Sequence, residues 1–312
     1  MILITGANGQ IGTVLSAALA ERYGAEQILV TDIRQPTSPT GRFELLDVTD
    51  KGRLRDLVGQ YGVTQVYHLA SILSARGEKD PSLAWRVNME GLLHVLDVAA
   101  DAGMEKVFFP SSIAVFGDGI DLQMAPQDGP LLPQTVYGIS KVAGELWCDH
   151  YFRTRGLDVR SLRFPGIIGY QSLPGGGTTD YAVEIYHAAV QGEVFRCYVA
   201  SDVKLPMMYM DDAIKAIFDL MDAPKDAITI RQSYNVAAMS FSPREIYQSI
   251  RQYKPEFQME YVPDYRNEIA RAWPDDLDDD AARRDWHWRP EFDLDAMTRD
   301  MLAHLEVRYA AR

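Results

Sequence analysis

A short apolar strand running into three evenly spaced glycines constrains this chain more than any other feature. Ile2-Leu-Ile-Thr5 has the uninterrupted apolar character of a strand covered on both faces. Gly6, Gly9 and Gly12 follow at every third position, with Asn8, Gln10 and Ile11 between them, and residues 13–22 then read as a helix. Glycines here allow a tight turn and let backbone approach a pyrophosphate, and the following helix aims its free amides at the anion. A glycine triplet alone is also compatible with a plain turn. Its place between a strand and a helix favours a dinucleotide site. Residues 27–32 read as a second strand ending at Asp32, twenty residues past Gly12. A carboxylate there accepts from ribose hydroxyls and repels a 2′-phosphate, which favours NAD over NADP. Arg34 close by keeps that choice open.

The rest of the chain repeats the alternation. Residues 43–48, 64–71, 106–112 and 158–164 read as further strands. Helical periodicity lies between them at 50–61, 81–102 and 137–155. Alternating strands and helices predict an α/β fold, a Rossmann-type doubly wound parallel sheet. Beyond residue 165 regular structure stops in a segment rich in glycine, and a helix is expected at 181–191. Residues 206–233 are expected to return to the first domain. Short strands (234–237, 258–262) and helices (242–253, 263–272, 293–309) then suggest a smaller C-terminal α/β substrate lobe. The predicted division is therefore 1–165 with 206–233, against 166–205 with 234–312. Trp273, Trp286 and Trp288 read as core of that lobe or, alternatively, as a binding platform. The acidic run 275–280 reads as a solvated turn or helix start, with a calcium site as the alternative.

Composition removes several function classes. A net charge of −13 argues against a nucleic-acid or anionic-membrane surface. No apolar run reaches the ~18 residues of a membrane span. Met1 runs straight into the first strand, leaving no room for a targeting peptide. Two isolated cysteines, Cys148 and Cys197, predict a reducing, cytoplasmic compartment. With six scattered histidines they form no zinc-ligand spacing, so no metal is expected. His68 reads as a packed strand histidine.

Chemistry enters at Thr135-Val-Tyr137-Gly-Ile-Ser-Lys141. On a helix, Tyr137 and Lys141 share one face. A neighbouring ammonium favours phenolate, so the expected effect is a lowered tyrosine pKa and a base for an alcohol proton. Alone, the pair is a common surface coincidence. Ser111 and Ser112 end the fifth strand, and residues 71–81 form a loop carrying Ser74, Arg76 and Lys79 at the sheet edge where ligands bind. That loop could equally be merely exposed.

The order of the glycine turn, the strand-end serines and the Tyr137/Lys141 pair resembles the extended short-chain dehydrogenase/reductase superfamily, essentially end to end. Pro165-Gly166-Ile167 matches its nicotinamide-contacting segment. Ser71-Ile-Leu-Ser74-Ala-Arg-Gly-Glu-Lys-Asp-Pro81 and Leu173-Pro-Gly-Gly-Gly-Thr178-Thr-Asp-Tyr181 are similar to the short-chain-type L-threonine 3-dehydrogenases. Val115-Phe116-Gly117 departs from the Val-Tyr-Gly usual in the superfamily's sugar-nucleotide epimerases and dehydratases. The resemblance implies NAD as cofactor, held by Gly6, Gly9 and Gly12 at the pyrophosphate, Asp32 at the ribose, and Asp47 and Val48 at the adenine. It also implies that Leu69, Ala70, Ser71 and Asn88 line the cofactor path, with Pro165 and Ile167 beyond. It assigns Ser112 to the reacting oxygen, with Ser111 as competitor, Tyr137 as base, and Lys141 to tuning the tyrosine and holding the nicotinamide ribose. Ser74, Thr178 and Tyr181 are expected to meet the charged groups of a small amino-acid substrate. The family's relatives commonly pair through helices here at 82–102 and 137–155, so a homodimer is expected.

Overall fold

The computed structural model describes residues 1–36, 38–175 and 177–310. The strands are β1 (Ile2–Thr5), β2 (Ile28–Asp32), β3 (Arg42–Leu45), β4 (Gln65–His68), β5 (Lys106–Ser112) and β6 (Val159–Phe164). After them come β7 (Gly166–Ile168), β8 (Phe195–Cys197), β9 (Leu205–Tyr209), β10 (Tyr234–Asn235), β11 (Met239–Phe241) and β12 (Met259–Tyr261). Among the described residues seven strands form one sheet in the order β3-β2-β1-β4-β5-β6-β10, every pairing parallel. The order reverses between β1 and β4, and a ligand cleft is expected outside the strand ends there. The predicted Rossmann-type α/β fold is found.

Helices cover both faces, as a parallel sheet requires. They are α1 (Gln10–Tyr23), α2 (Lys51–Tyr61), α3 (Ser74–Gly77), α4 (Pro81–Trp85), α5 (Gly91–Asp101) and α6 (Val136–Arg155). The chain continues with α7 (Tyr181–Gln191), α8 (Met210–Asp222), α9 (Pro243–Tyr253), α10 (Tyr265–Arg271), α11 (Asp280–Trp286) and α12 (Leu294–Ala310). One face packs Leu54, Leu96 and Tyr151 of α2, α5 and α6 against Leu3, Val66 and Val107. The other packs Leu15 and Ile217 of α1 and α8 against Ile4 and Leu162. A third cluster joins α7, α9 and α12 around Tyr186, Ile250 and Met301.

Three expectations change. The strand at Tyr234 lies in the large sheet, beside Leu162 and Arg163 of β6, and not in the smaller lobe. Trp286 and Trp288 follow it into the core beneath that sheet, with Tyr234 and Trp286 rings 5.8 Å apart. Of the 206–233 segment, α8, Met208, Ala223 and Ile228 pack under the sheet, while β9 pairs with β7 and β11. The helix expected at 81–102 is interrupted by a π-helical turn, Arg86–Glu90, which carries Asn88. The acidic run is a helix start: Asp279 precedes α11 and its carboxylate takes the Arg283 guanidinium at 2.6 Å. No helix among the described residues is long and apolar enough to cross a membrane.

Candidate active site

The turn after β1 is as crowded as its glycines require. Gly6 has φ +69°, and a Cβ there would lie 2.6 Å from the Ala70 nitrogen. A Cβ on Gly12 would lie 2.4 Å from the Gly6 carbonyl oxygen. The N-terminus of α1 has no side-chain cap at Gly9 and no acid in its first turn, and Gly9, Gln10, Ile11 and Gly12 line the cleft. Beside them the Asp32 carboxylate accepts from the Asn8 amide at 3.0 Å and the Arg34 amide at 3.3 Å, while the Asn8 side chain donates to the Arg34 carbonyl at 2.6 Å. A backbone cradle with positive polarity and an acid at the next strand end fit a dinucleotide with free ribose hydroxyls.

The cleft takes in both this turn and the end of β5. Gly6, Asn8, Gly9, Gln10, Ile11 and Gly12 line it. So do Leu69, Ser71, Pro165 and Ile167, and Ser74, Ser111, Ser112, Tyr137, Lys141 and Thr178. Thus residues more than a hundred positions apart in sequence line one cleft. His68 stays out of the chemistry: it is buried, its Nδ1 is paired with the Thr5 hydroxyl at 2.8 Å, and burial drives its pKa down to about 3.

Tyr137 is placed by two local devices. Thr135 caps α6 by accepting from the Gly138 amide at 3.0 Å, which starts the helix one residue before the tyrosine. Gly138 then sits directly on the turn after β5; a Cβ there would lie 2.1 Å from the Ala114 carbonyl oxygen. The Tyr137 phenol lies close enough to the Ser112 hydroxyl for that group to lower its pKa. Ser111 points elsewhere: its hydroxyl donates to Glu145 Oε1 at 2.5 Å. The two serines, indistinguishable in sequence, are therefore separated by geometry.

Lys141 is buried and one helical turn along. Its Nζ donates to the Pro110 carbonyl at 2.7 Å and lies 5.3 Å from the Tyr137 ring centre. The expected lowering of the tyrosine pKa is not what this arrangement produces. Burial pushes the Tyr137 phenol up to about 12, with the Ser112 hydrogen bond working weakly against it. Burial also pulls Lys141 down to about 7, against the raising influence of Cys148 and Glu145. The ammonium is spent on a carbonyl, and removal from water outweighs its field at the phenol.

Other expected residues are placed as follows. Ser74 and Thr178 face each other, hydroxyl to hydroxyl at 3.3 Å. Tyr181 does not line the cleft. It is fully buried in the lobe core, edge-on to Tyr198 at 6.2 Å. Asn88 is a fastener: its amide accepts from the Ile72 nitrogen at 2.8 Å and donates to the Ser140 hydroxyl at 3.2 Å. Asp47 is tied to Thr49, whose amide and hydroxyl donate to it at 2.9 and 2.7 Å, and Val48 is buried against Gly91. Ala70 contributes backbone beneath Gly6. The lining also includes residues given no role from the sequence, Thr179 and Asp180 among them, and Trp273, read there as lobe core or a binding platform. The first two stand beside an expected residue; Trp273 arrives from the far lobe and has no local signal.

A family model described as the NAD dependent epimerase/dehydratase family matches residues 2–237. A Staphylococcus aureus protein described as an uncharacterized epimerase/dehydratase is 45% identical, covering 98% of this chain and 97% of its own. Among solved structures, a GalE-like L-threonine dehydrogenase from Cupriavidus necator in its holo form is 52% identical at TM-score 0.96, covering 97% of this chain and 99% of that one. A structure described as a monomeric L-threonine 3-dehydrogenase from a metagenome database is 46% identical at TM-score 0.97, covering 99% of both chains. On the sheet order, the glycine cradle and these matches, the chain belongs to the NAD dependent epimerase/dehydratase family of extended short-chain dehydrogenases, and its cofactor is NAD.

Proposed function

We propose that this protein oxidises L-threonine at its β-hydroxyl to 2-amino-3-ketobutyrate. The observation that carries the reading is the convergence of Ser112, Tyr137 and Lys141 in one cleft with the dinucleotide cradle. NAD, when bound, supplies the hydride acceptor. Gly6, Gly9 and Gly12 hold its pyrophosphate and Asp32 its adenosine ribose. Tyr137 takes the hydroxyl proton, and Ser112 donates to the same oxygen as its charge develops. Ser74 and Thr178 offer paired hydroxyls to the amino acid. Asp180 adds an anion for its ammonium group, and the exposed Arg76 guanidinium a cation for its carboxylate.

The inverted pKa values fit this role once protons are counted over the pair. Below about 7 the pair holds two protons, and between about 7 and 12 it holds one. Phenolate with ammonium carries the same proton count as phenol with amine, so both interconvert without pH dependence in that window. The acid limb of kcat/KM should therefore fall near pH 7, with one proton, and a plateau should follow. A profile falling instead from pH 10 downward would contradict the pairing.

The relatives' description as an epimerase/dehydratase favours a second reading, which we take to be action on a nucleotide sugar. One assay separates the two. NADH formation is followed with L-threonine, L-allo-threonine, L-serine and 3-hydroxybutyrate, with and without added NAD and chelator. Threonine oxidation needs added NAD and survives the chelator. Turnover of a nucleotide sugar with no added NAD would overturn the reading.

We further propose a homodimer through α4, α5 and α6. Trp85, Ile139, Leu146 and Trp147 are exposed at 44%, 46%, 53% and 38% on α4 and α6. Trp147→Glu should convert a dimer into a monomer in light scattering; a wild-type monomer, as the metagenomic relative is described, would contradict the pairing.

A further inference from the structure

Behind the Tyr137 helix lies a buried ion pair that the proposed reaction does not use. Glu145 and Arg163 are 0% and 2% exposed. Arg163 Nε donates to both carboxylate oxygens at 3.0 and 3.2 Å, and Nη2 donates to Oε2 at 2.8 Å. Its Nη1 is held by the Gln127 carbonyl at 2.9 Å and the Asn235 side chain at 3.2 Å. Ser111 supplies the carboxylate's remaining donor at 2.5 Å. Such a pair contributes little to stability compared with apolar packing of the same volume. Its place is informative: Glu145 stands one helical turn beyond Lys141, on the same face.

The surroundings of Lys141 hold few other charges. Its own helix presents Tyr137 and Cys148, and burial keeps the Cys148 thiol far above its ordinary pKa. From β4 comes His68, neutral at working pH because burial drives it to about 3. From β5 come the Phe109 ring, 4.6 Å from Nζ, and the Pro110 carbonyl. From β6 comes Arg163, bonded to Glu145; of the two, Glu145 is the charge that acts on Lys141. Glu145 is the fixed anion of this set among the described residues.

We propose that Glu145 is a positioning residue whose clamped carboxylate keeps Lys141 cationic, so that the one proton shared by Tyr137 and Lys141 can leave the phenol. The inference rests on the threonine-oxidation reading. Removing the anion destabilises the ammonium, lowers the Lys141 pKa and makes the phenolate–ammonium form rarer.

The test uses Glu145→Gln, which keeps an acceptor for Ser111 and removes only the charge. It leaves Arg163 buried without its partner, so Glu145→Gln/Arg163→Met is prepared beside it and replaces it if the single variant does not fold. Lys141 Nζ is followed by NMR in [15N]lysine-labelled protein without cofactor, assigned by its loss in Lys141→Met. The wild-type midpoint should fall near 7. In Glu145→Gln it should move down by about one pH unit, a tenfold loss of proton affinity. The acid limb of kcat/KM should move down with it while the plateau falls by about tenfold. A purely structural role would lower the whole profile without moving either midpoint, and that result would overturn the inference. A wild-type enzyme inert toward L-threonine and NAD would overturn the functional reading alone, because the NMR titration judges Glu145 without turnover.

Discussion

Tyr137→Phe is expected to lower kcat with L-threonine by about a thousandfold, roughly 4 kcal/mol of barrier, while the affinity for NAD stays within a factor of two or so. The change removes one oxygen, which lies near the Ser112 hydroxyl. The ring keeps its packing on α6, and the phenol oxygen is not part of the glycine turn that forms the dinucleotide cradle. Stability should therefore be close to wild type, which separates lost chemistry from lost fold. Steady-state rates, a fluorescence titration with NAD and a thermal melt on the same preparation decide the matter. A variant running near the wild-type rate would remove Tyr137 from the reaction. Ser112→Ala should cost less, because Ser112 stabilises charge on the oxygen while Tyr137 accepts the proton itself.

The second large effect belongs to the cradle. Gly12→Ala is expected to weaken NAD binding by about a hundredfold, roughly 2.7 kcal/mol. The added methyl would sit 2.4 Å from the Gly6 carbonyl oxygen and 2.8 Å from the Ala7 Cα, both backbone atoms that cannot swing aside as a side chain can. The turn must open, and the amides at the start of α1 lose their common focus. The same strain should lower the melting temperature by several degrees, as expected for about 1–3 kcal/mol of overpacking. Calorimetric titration and a melt check both effects. Wild-type NAD affinity in this variant would mean that the turn is not the pyrophosphate site.

What could be read directly from the chain was local. The apolar run before Gly6 and the alternation after it specify the parallel sheet, because a strand covered on both faces has no polar positions to spare. The four-residue step from Tyr137 to Lys141 shows their shared helix face. The features that escaped depend on contacts made across the fold. Tyr234–Asn235 is a two-residue strand whose membership is decided by pairing with Leu162 and Arg163 on β6. Tyr181 follows a glycine-rich segment and looks like a cleft residue, yet its ring fills the lobe core. Trp273 reaches the cleft from the C-terminal lobe, and Glu145 meets Arg163 across eighteen residues. Ser111 and Ser112 differ only in what each hydroxyl meets. The tyrosine pKa shows the same limit in energetic form. Spacing reports a nearby charge, whereas burial, which dominates here, depends on everything packed around the pair.

Transfer of label from threonine tests the central claim most directly. L-Threonine carrying deuterium at C3 is incubated with the enzyme and NAD, and the recovered dinucleotide is examined by mass spectrometry. One deuterium should appear in each NADH formed, with none released to water and loss of the label from the amino-acid product. Unlabelled dinucleotide, or threonine recovered with its C3 deuterium intact after NADH has accumulated in full, would contradict oxidation at the β-carbon.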